Sequence, residues 1–137
     1  AARFPGRVAG RIGYDEGLSH QLFAGADAVL VPSRFEPCGL TQMYGLRYGT
    51  LPLVSAVGGL WDTVIDASPA ALAVGAATGV VFHPVDALAF GQALQRLLGL
   101  YADQKVWARM QKAAMAQPVG WQTSAQAYAA LYQGLRG

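Results

Sequence analysis

Apolar positions along this chain fall into two rhythms that alternate. "DAVLVPS" holds an unbroken apolar run from Ala28 to Val31, and such runs suit strands buried on both faces of a parallel sheet. "LPLVS" and "TGVVFH" repeat the pattern, while "GRVAGRIGY" alternates weakly enough to be a fourth, marginal strand. Between them the spacing becomes helical. Leu18, Leu22 and Phe23 share one face of "DEGLSHQLFAG", with Asp15 able to cap its start and Gly25 to close its end. Leu40, Met43, Tyr44 and Arg47 form a second face, stopped at Gly49. "VGGLWDT" reads as a glycine turn leading into an alanine-rich stretch. The C-terminal part carries three stripes: Phe90, Leu94, Leu97 and Tyr101; Val106, Met110 and Ala113; and Trp121, Ala125, Tyr128, Tyr132 and Leu135. Pro118 and Gly120 separate the last two.

Strands alternating with helices predict an α/β fold with right-handed crossovers. A doubly wound domain has two halves of about three strands each. Three to four strands with flanking helices and a helical C-terminus therefore correspond to half of a Rossmann-like domain. The abrupt start at "RFPGRV" leads to the expectation that the other half lies upstream.

Composition narrows the picture. The 137 residues suffice for one compact core. Charged residues make up only 13%, about half of the usual ~25%, so flanks of this piece are expected to pack on something else. No uncharged apolar run reaches the roughly 18 residues of a membrane span, and the arginine-punctuated start is not a signal peptide. Ten basic residues are scattered and the net charge is +2, which leaves no nucleic-acid footprint. The single Cys38 excludes an internal disulfide and fits a reducing cytoplasm. No cluster of metal-ligating residues is visible.

Candidate chemistry concentrates in "SRFEPCGLTQ", where the first buried run ends. Ligands of open parallel sheets sit beyond the carboxyl ends of the strands. A helix starting near Gly39 leaves the N–H groups of Gly39, Leu40 and Thr41 unpaired and suited to phosphate. Glycine permits close approach, and Thr41 adds a hydroxyl. Glu36 would lie beside that anion site, where a carboxylate accepts hydrogen bonds from sugar hydroxyls. The combination describes a nucleotide-sugar pocket. A plain turn with a solvated acid is the alternative that these residues leave open, and neither GxGxxG nor GxxxxGK[ST] is present.

The stretch from Gly13 to Val64, with "SRFEPCGLTQ", "YGTLP" and "GGLWDTV" in order, resembles the C-terminal domain of bacterial glycogen synthases and plant starch synthases. The likeness continues more loosely through "ATGVVFHPVDALAFGQAL" and "GWQTSAQAYAALY". These are retaining glycosyltransferases of the two-domain GT-B type. The resemblance implies that residues 1–137 are the C-terminal portion of a nucleotide-sugar-binding domain, and that the donor is ADP-glucose and the acceptor an α-1,4-glucan. By likeness, Glu36 is catalytic, binding sugar hydroxyls and stabilising the transition state. Cys38, Gly39 and Leu40 line the sugar and diphosphate, Thr41 contacts the distal phosphate, and Tyr14 stacks on the adenine at a strand end. No cofactor is implied.

The likeness has gaps. Many retaining relatives have a second acid eight positions on, where this chain has Tyr44. Ser55 and Ala56 stand where many bacterial members have basic residues, and Trp61 replaces a small one. The diphosphate-binding arginine and lysine, the "KTGGL" element and an active-site histidine of the family belong to segments that precede this one. The chain alone is therefore expected to be inactive. A non-catalytic module that binds ADP or glucan, or a piece that forms homodimers through an open sheet edge, is the alternative. Cys38 reads as buried filler, His20 as packed or capping, Asp62 as a cap for the next turn, Trp107 and Trp121 as core or interdomain contacts, and Arg34 and Arg47 as surface residues.

Overall fold

In a computed structural model, residues 1–135 are described, and their helices and strands alternate as the apolar rhythms require. Helix α1 spans Glu16–Gly25 and strand β1 spans Ala28–Val31. Helix α2 (Thr41–Tyr48) and strand β2 (Leu51–Ser55) follow. Two short helices, α3 (Gly58–Thr63) and α4 (Pro69–Val74), lead to β3 (Val80–Phe82). Helices α5 (Ala87–Ala102), α6 (Gln104–Met115) and α7 (Trp121–Gly134) complete the chain.

The three strands form one parallel sheet in the order β1-β2-β3. Leu30 pairs with Leu53, and Leu53 in turn with Val80. All five residues of β2 are buried, which accounts for its continuous apolar run. Pro52 is tolerated in this central strand because pairing with β3 starts one residue later, at Leu53.

Alternation along the strands divides the core. Leu51, Leu53, Val80 and Phe82 pack on the side of α2, α5 and α6, where Leu46, Leu97, Trp107 and Met110 are buried. Val31, Val54 and Val81 pack on the other face with Leu60 and Val64. Helix starts use the expected chemistry: Asp15, Ser68 and Asp86 each accept the amide three residues on. Gly49, at φ 75°, ends α2.

Three expectations need correction, and the apolar stripe of α7 has no buried residue. "GRVAGRIGY" forms no strand; every residue from 1 to 17 is exposed, and a strand with weak alternation and no partner has no ladder to join. "VGGLWDT" is not a turn but the start and body of α3, because its glycines approach a neighbouring loop while Leu60 enters the core. Helix α1 runs through Gly25 and is capped at Ala26 in extended backbone rather than by the glycine. The stripe of α7 has its helical spacing, yet Trp121 is 79% exposed and no residue of that helix is buried. Trp107 alone of the two tryptophans is core, 3% exposed and edge-on to Tyr101.

Gly91 lies inside α5 with nothing within 4 Å of an added Cβ. Gly91→Ala is expected to raise stability by about 0.5–1 kcal/mol, since it removes unfolded-state freedom at an unstrained helical position. Denaturant unfolding of both proteins measures the difference.

Candidate functional site at the carboxyl ends of the strands

Residues 32–40 leave β1 at its carboxyl end and cross to α2, beside residues 56–59 at the end of β2. Several contacts hold this corner. Ser55 donates its hydroxyl proton to the carbonyl of Ser33, and the amide of Ala56 donates to Phe82 O at 3.0 Å. The N-terminus of α3 presses directly on the loop. A Cβ on Gly58 would lie 2.0 Å from Glu36 O, and one on Gly59 would lie 2.0 Å from Cys38 O. Only glycine fits at either place, and the amide of Gly59 uses the approach to donate to Pro37 O at 3.3 Å.

Glu36 is half-buried, and Ser33 Oγ lies 3.4 Å from its Oε2. Among the described residues it has no salt-bridge partner. Gly39 takes a left-handed φ of 70°, followed by Leu40 in right-handed geometry at φ −107° and ψ −25°. Helix α2 then begins at Thr41. Among the described residues, no hydrogen bond runs from the N–H of Gly39, Leu40 or Thr41 to another part of the chain. Leu40 and Thr41 are exposed. Three consecutive amides are thus open beside a carboxylate, an arrangement that can hold an anion and a hydroxyl-bearing group side by side.

Tyr14 precedes α1 in the unpaired N-terminal segment, not at a strand end, and is 90% exposed. It lines a cavity of about 530 Å³ between α1, β1 and α2 together with His20, Phe23, Thr41 and Tyr44. Thr41 therefore belongs both to this cavity and to the open amides, while Glu36, Cys38, Gly39 and Leu40 form the loop next to it. Tyr48 braces the aromatic lining from behind: His20 Nδ1 lies 3.0 Å from Tyr48 Oη, and Phe23 stacks on Tyr48. Tyr44, at the position of the missing second acid, meets His20 edge-on at 5.6 Å.

Cys38 is exposed rather than buried filler, and His20 is engaged with Tyr48. Asp62 is exposed and caps nothing; Ser68 caps the next helix instead. Trp61 is 61% exposed on α3. Arg34 and Arg47 are on the surface. No group of three or more metal-ligating side chains occurs among the described residues.

Sequence reasoning missed Gln42, Thr63 and Ser33. Gln42 is fully buried, and its Nε2 faces Cys38 O at 3.2 Å, Gly39 O at 2.9 Å and Thr63 Oγ1 at 3.1 Å. The available signal was a lone amide in the first turn of a helix, directly after Thr41.

Comparison with known proteins agrees with this architecture. The pattern of the family described as glycosyl transferases group 1 matches residues 9–116. A glycogen synthase of Cereibacter sphaeroides is 68% identical over 133 residues, 97% of this chain and 28% of that protein. One of Paracoccus denitrificans is 62% identical over 135 residues, 98% of this chain and 29% of that protein. The catalytic domain of starch synthase IV from Arabidopsis thaliana, bound to ADP and acarbose, superposes with a TM-score of 0.80 at 38% identity, over 89% of this chain and 25% of that one. A parallel sheet with its loop cluster at the strand ends, joined to these matches, defines the chain as a glycosyltransferase of group 1, and it belongs to that family. Within the family its sequence is similar to bacterial glycogen synthases, of which it spans less than a third of the length.

Gly59→Ala places a methyl group against the Cys38 carbonyl. The substitution is expected to lower stability by about 1–3 kcal/mol and to shift the amide resonances of residues 36–40. Thermal unfolding and amide spectra of the variant check both; unchanged values for the two would show that the contact is slack.

Proposed function

We propose that this chain is the C-terminal portion of the nucleotide-sugar-binding domain of a glycogen or starch synthase. In this reading the whole enzyme transfers glucose from ADP-glucose to the non-reducing end of an α-1,4-glucan with retention. The observation that carries it is the row of open amides at Gly39, Leu40 and Thr41 beside half-buried Glu36, in a chain 68% identical to a glycogen synthase. The ADP bound by the starch synthase relative supports the choice of nucleotide.

The resemblance to glycogen synthases implies the roles, and the geometry is compatible with them. The amides, at the positive end of α2, stabilise the diphosphate as charge builds on it. Glu36 accepts hydrogen bonds from glucose hydroxyls and stabilises the oxocarbenium-like transition state. Cys38 and Leu40 contribute backbone contacts to the sugar and diphosphate. Tyr14 stacks on the adenine, a task for which its 90% exposed ring is available. The acceptor attacks through its terminal 4-hydroxyl.

The chain alone is inactive in this reading, because the remaining donor and acceptor groups lie in other parts of the enzyme. Strand β1 is consistent with such a neighbour. It is an edge strand, yet it is apolar throughout, and its Leu30 is 47% exposed. Parallel sheets bury both faces, which supports a reading in which another part of the longer protein packs at β1. The same free edge serves the alternative reading, a non-catalytic module that pairs with a second copy of itself. Among the described residues no helix is long and apolar enough to cross a membrane. The enzyme is assigned to the cytoplasm, where ADP-glucose would be available.

Two substitutions in the full-length enzyme test the assignment. Glu36→Ala is expected to lower kcat on the order of 10²-fold or more, with a much smaller change in donor Kd; steady-state kinetics and calorimetry separate the two, and normal turnover removes the role. Tyr14→Ala is expected to weaken ADP-glucose binding by about 1–3 kcal/mol, with kcat at saturating donor less affected. Equal donor affinity in variant and parent would exclude stacking on Tyr14.

A further inference from the structure

Gln42 has no part in the reading so far, although it is fully buried and touches the loop at two carbonyls. We propose that Gln42 is a positioning residue: it turns the peptide groups of residues 38–40 so that the amides of Gly39 and Leu40 face the diphosphate of the donor. This rests on the donor-site reading above.

The argument begins with the peptide bond. In a trans peptide the C=O and the following N–H point in opposite directions. Among the described residues the only cis bond is His83–Pro84, so the loop peptides are trans. Gln42 Nε2 holds Cys38 O at 3.2 Å and Gly39 O at 2.9 Å. Holding those two oxygens inward sends the N–H groups of Gly39 and Leu40 outward. Neighbouring contacts extend the row. Pro37 O accepts from the Gly59 amide at 3.3 Å, and Leu40 O accepts from the Tyr44 amide at 2.9 Å. The N–H groups opposite these two belong to Cys38 and Thr41. The left-handed Gly39 followed by right-handed Leu40 makes successive amides converge on one side, a concave anion-binding geometry.

Two facing carbonyls also settle which end of the Gln42 amide is the NH₂ group, because Oε1 in that place would face two acceptors. Thr63 braces the clamp: its hydroxyl donates to Gly59 O and its oxygen lies 3.1 Å from Gln42 Nε2, which with two N–H groups shares one of them among its three neighbouring acceptors. Gln42 Oε1 is itself buried without a partner among the described residues. An unpaired buried acceptor is destabilising, so as packing material glutamine is inferior here to methionine, which has a similar volume. Its presence at a fully buried position is explained by the hold of its nitrogen on the Cys38 and Gly39 carbonyls.

The test uses the full-length enzyme, with ADP and adenosine titrated separately by calorimetry and Tm measured in parallel. Gln42→Met keeps the volume and removes the donor. Its Kd for ADP is expected to rise about tenfold or more, whereas its Kd for adenosine, which has no phosphate, stays within about twofold of the parent. Thr63→Val leaves Gln42 in place with one anchor lost, and is expected to weaken ADP binding by about threefold; it carries the test if Gln42→Met does not fold. A lowered Tm with ADP affinity within about twofold of the parent overturns the positioning role and leaves only packing. Equal weakening of ADP and adenosine overturns it as well. A parent enzyme that binds no ADP overturns the donor-site reading and this inference with it.

Discussion

Carbonyl oxygens of residues 37–40 are all engaged on the inner side of the loop that leaves β1, and the rest of the site depends on that constraint. Gly59 N, Gln42 Nε2 and Tyr44 N take them in turn. Because peptide groups are rigid and planar, four fixed acceptors mean four fixed donors on the outer side. The bare backbone of Gly58 and Gly59 makes this possible, since a side chain at either position would occupy the space of the Glu36 or Cys38 carbonyl. Ser55 adds a further tie from the end of β2 to Ser33, whose hydroxyl lies near the Glu36 carboxylate. Glu36 is thus held by the same corner that aims the amides, and the two functions share one scaffold.

The scaffold is stiff because of the layers beneath it. Strand β2 is buried along its whole length, with Leu51 and Leu53 facing one core and Val54 the other. Thr50, at the start of β2, anchors the C-terminal end of α1 through the carbonyls of Phe23 and Ala26, so the segment carrying Tyr14 is tied to the sheet. On the far side Asp66 accepts two hydrogen bonds from Arg96 and one from the Val81 amide, joining α5 to the start of β3. Both partners of that ion pair are partly exposed, so its value is geometric more than energetic. These ties do not reach the outer surfaces of α1 and α7, where Leu22 and the apolar stripe of α7 remain exposed.

Exposed apolar stripes are where sequence and structure part company. The spacing of Trp121, Tyr128 and Tyr132 announces a helix with one apolar face, and a helix forms. Spacing cannot say whether a partner for that face is present, and here none of its side chains is buried. The same limit applies to "GRVAGRIGY": alternation suggests a strand, but a strand exists only when another one accepts its hydrogen bonds. For "VGGLWDT" the local residues favour a turn, and a tertiary contact with the neighbouring loop together with burial of Leu60 draws them into a helix.

The amino-acid sequence by itself determined the alternation of strands and helices, the buried central strand, the helix caps at Asp15 and Gly49, and the family, carried by a long motif from Ser33 to Val64. These are legible because they depend on periodicity, on turn chemistry and on residues adjacent in the chain. Only the tertiary structure decided that Gly58 and Gly59 exist for a carbonyl contact, that Cys38 is exposed, and that Gln42 reaches back to two peptide oxygens and across to Thr63. Those facts depend on direction in space between segments separated by up to 22 positions, as Gly58 is from Glu36, and a one-dimensional pattern carries no such direction.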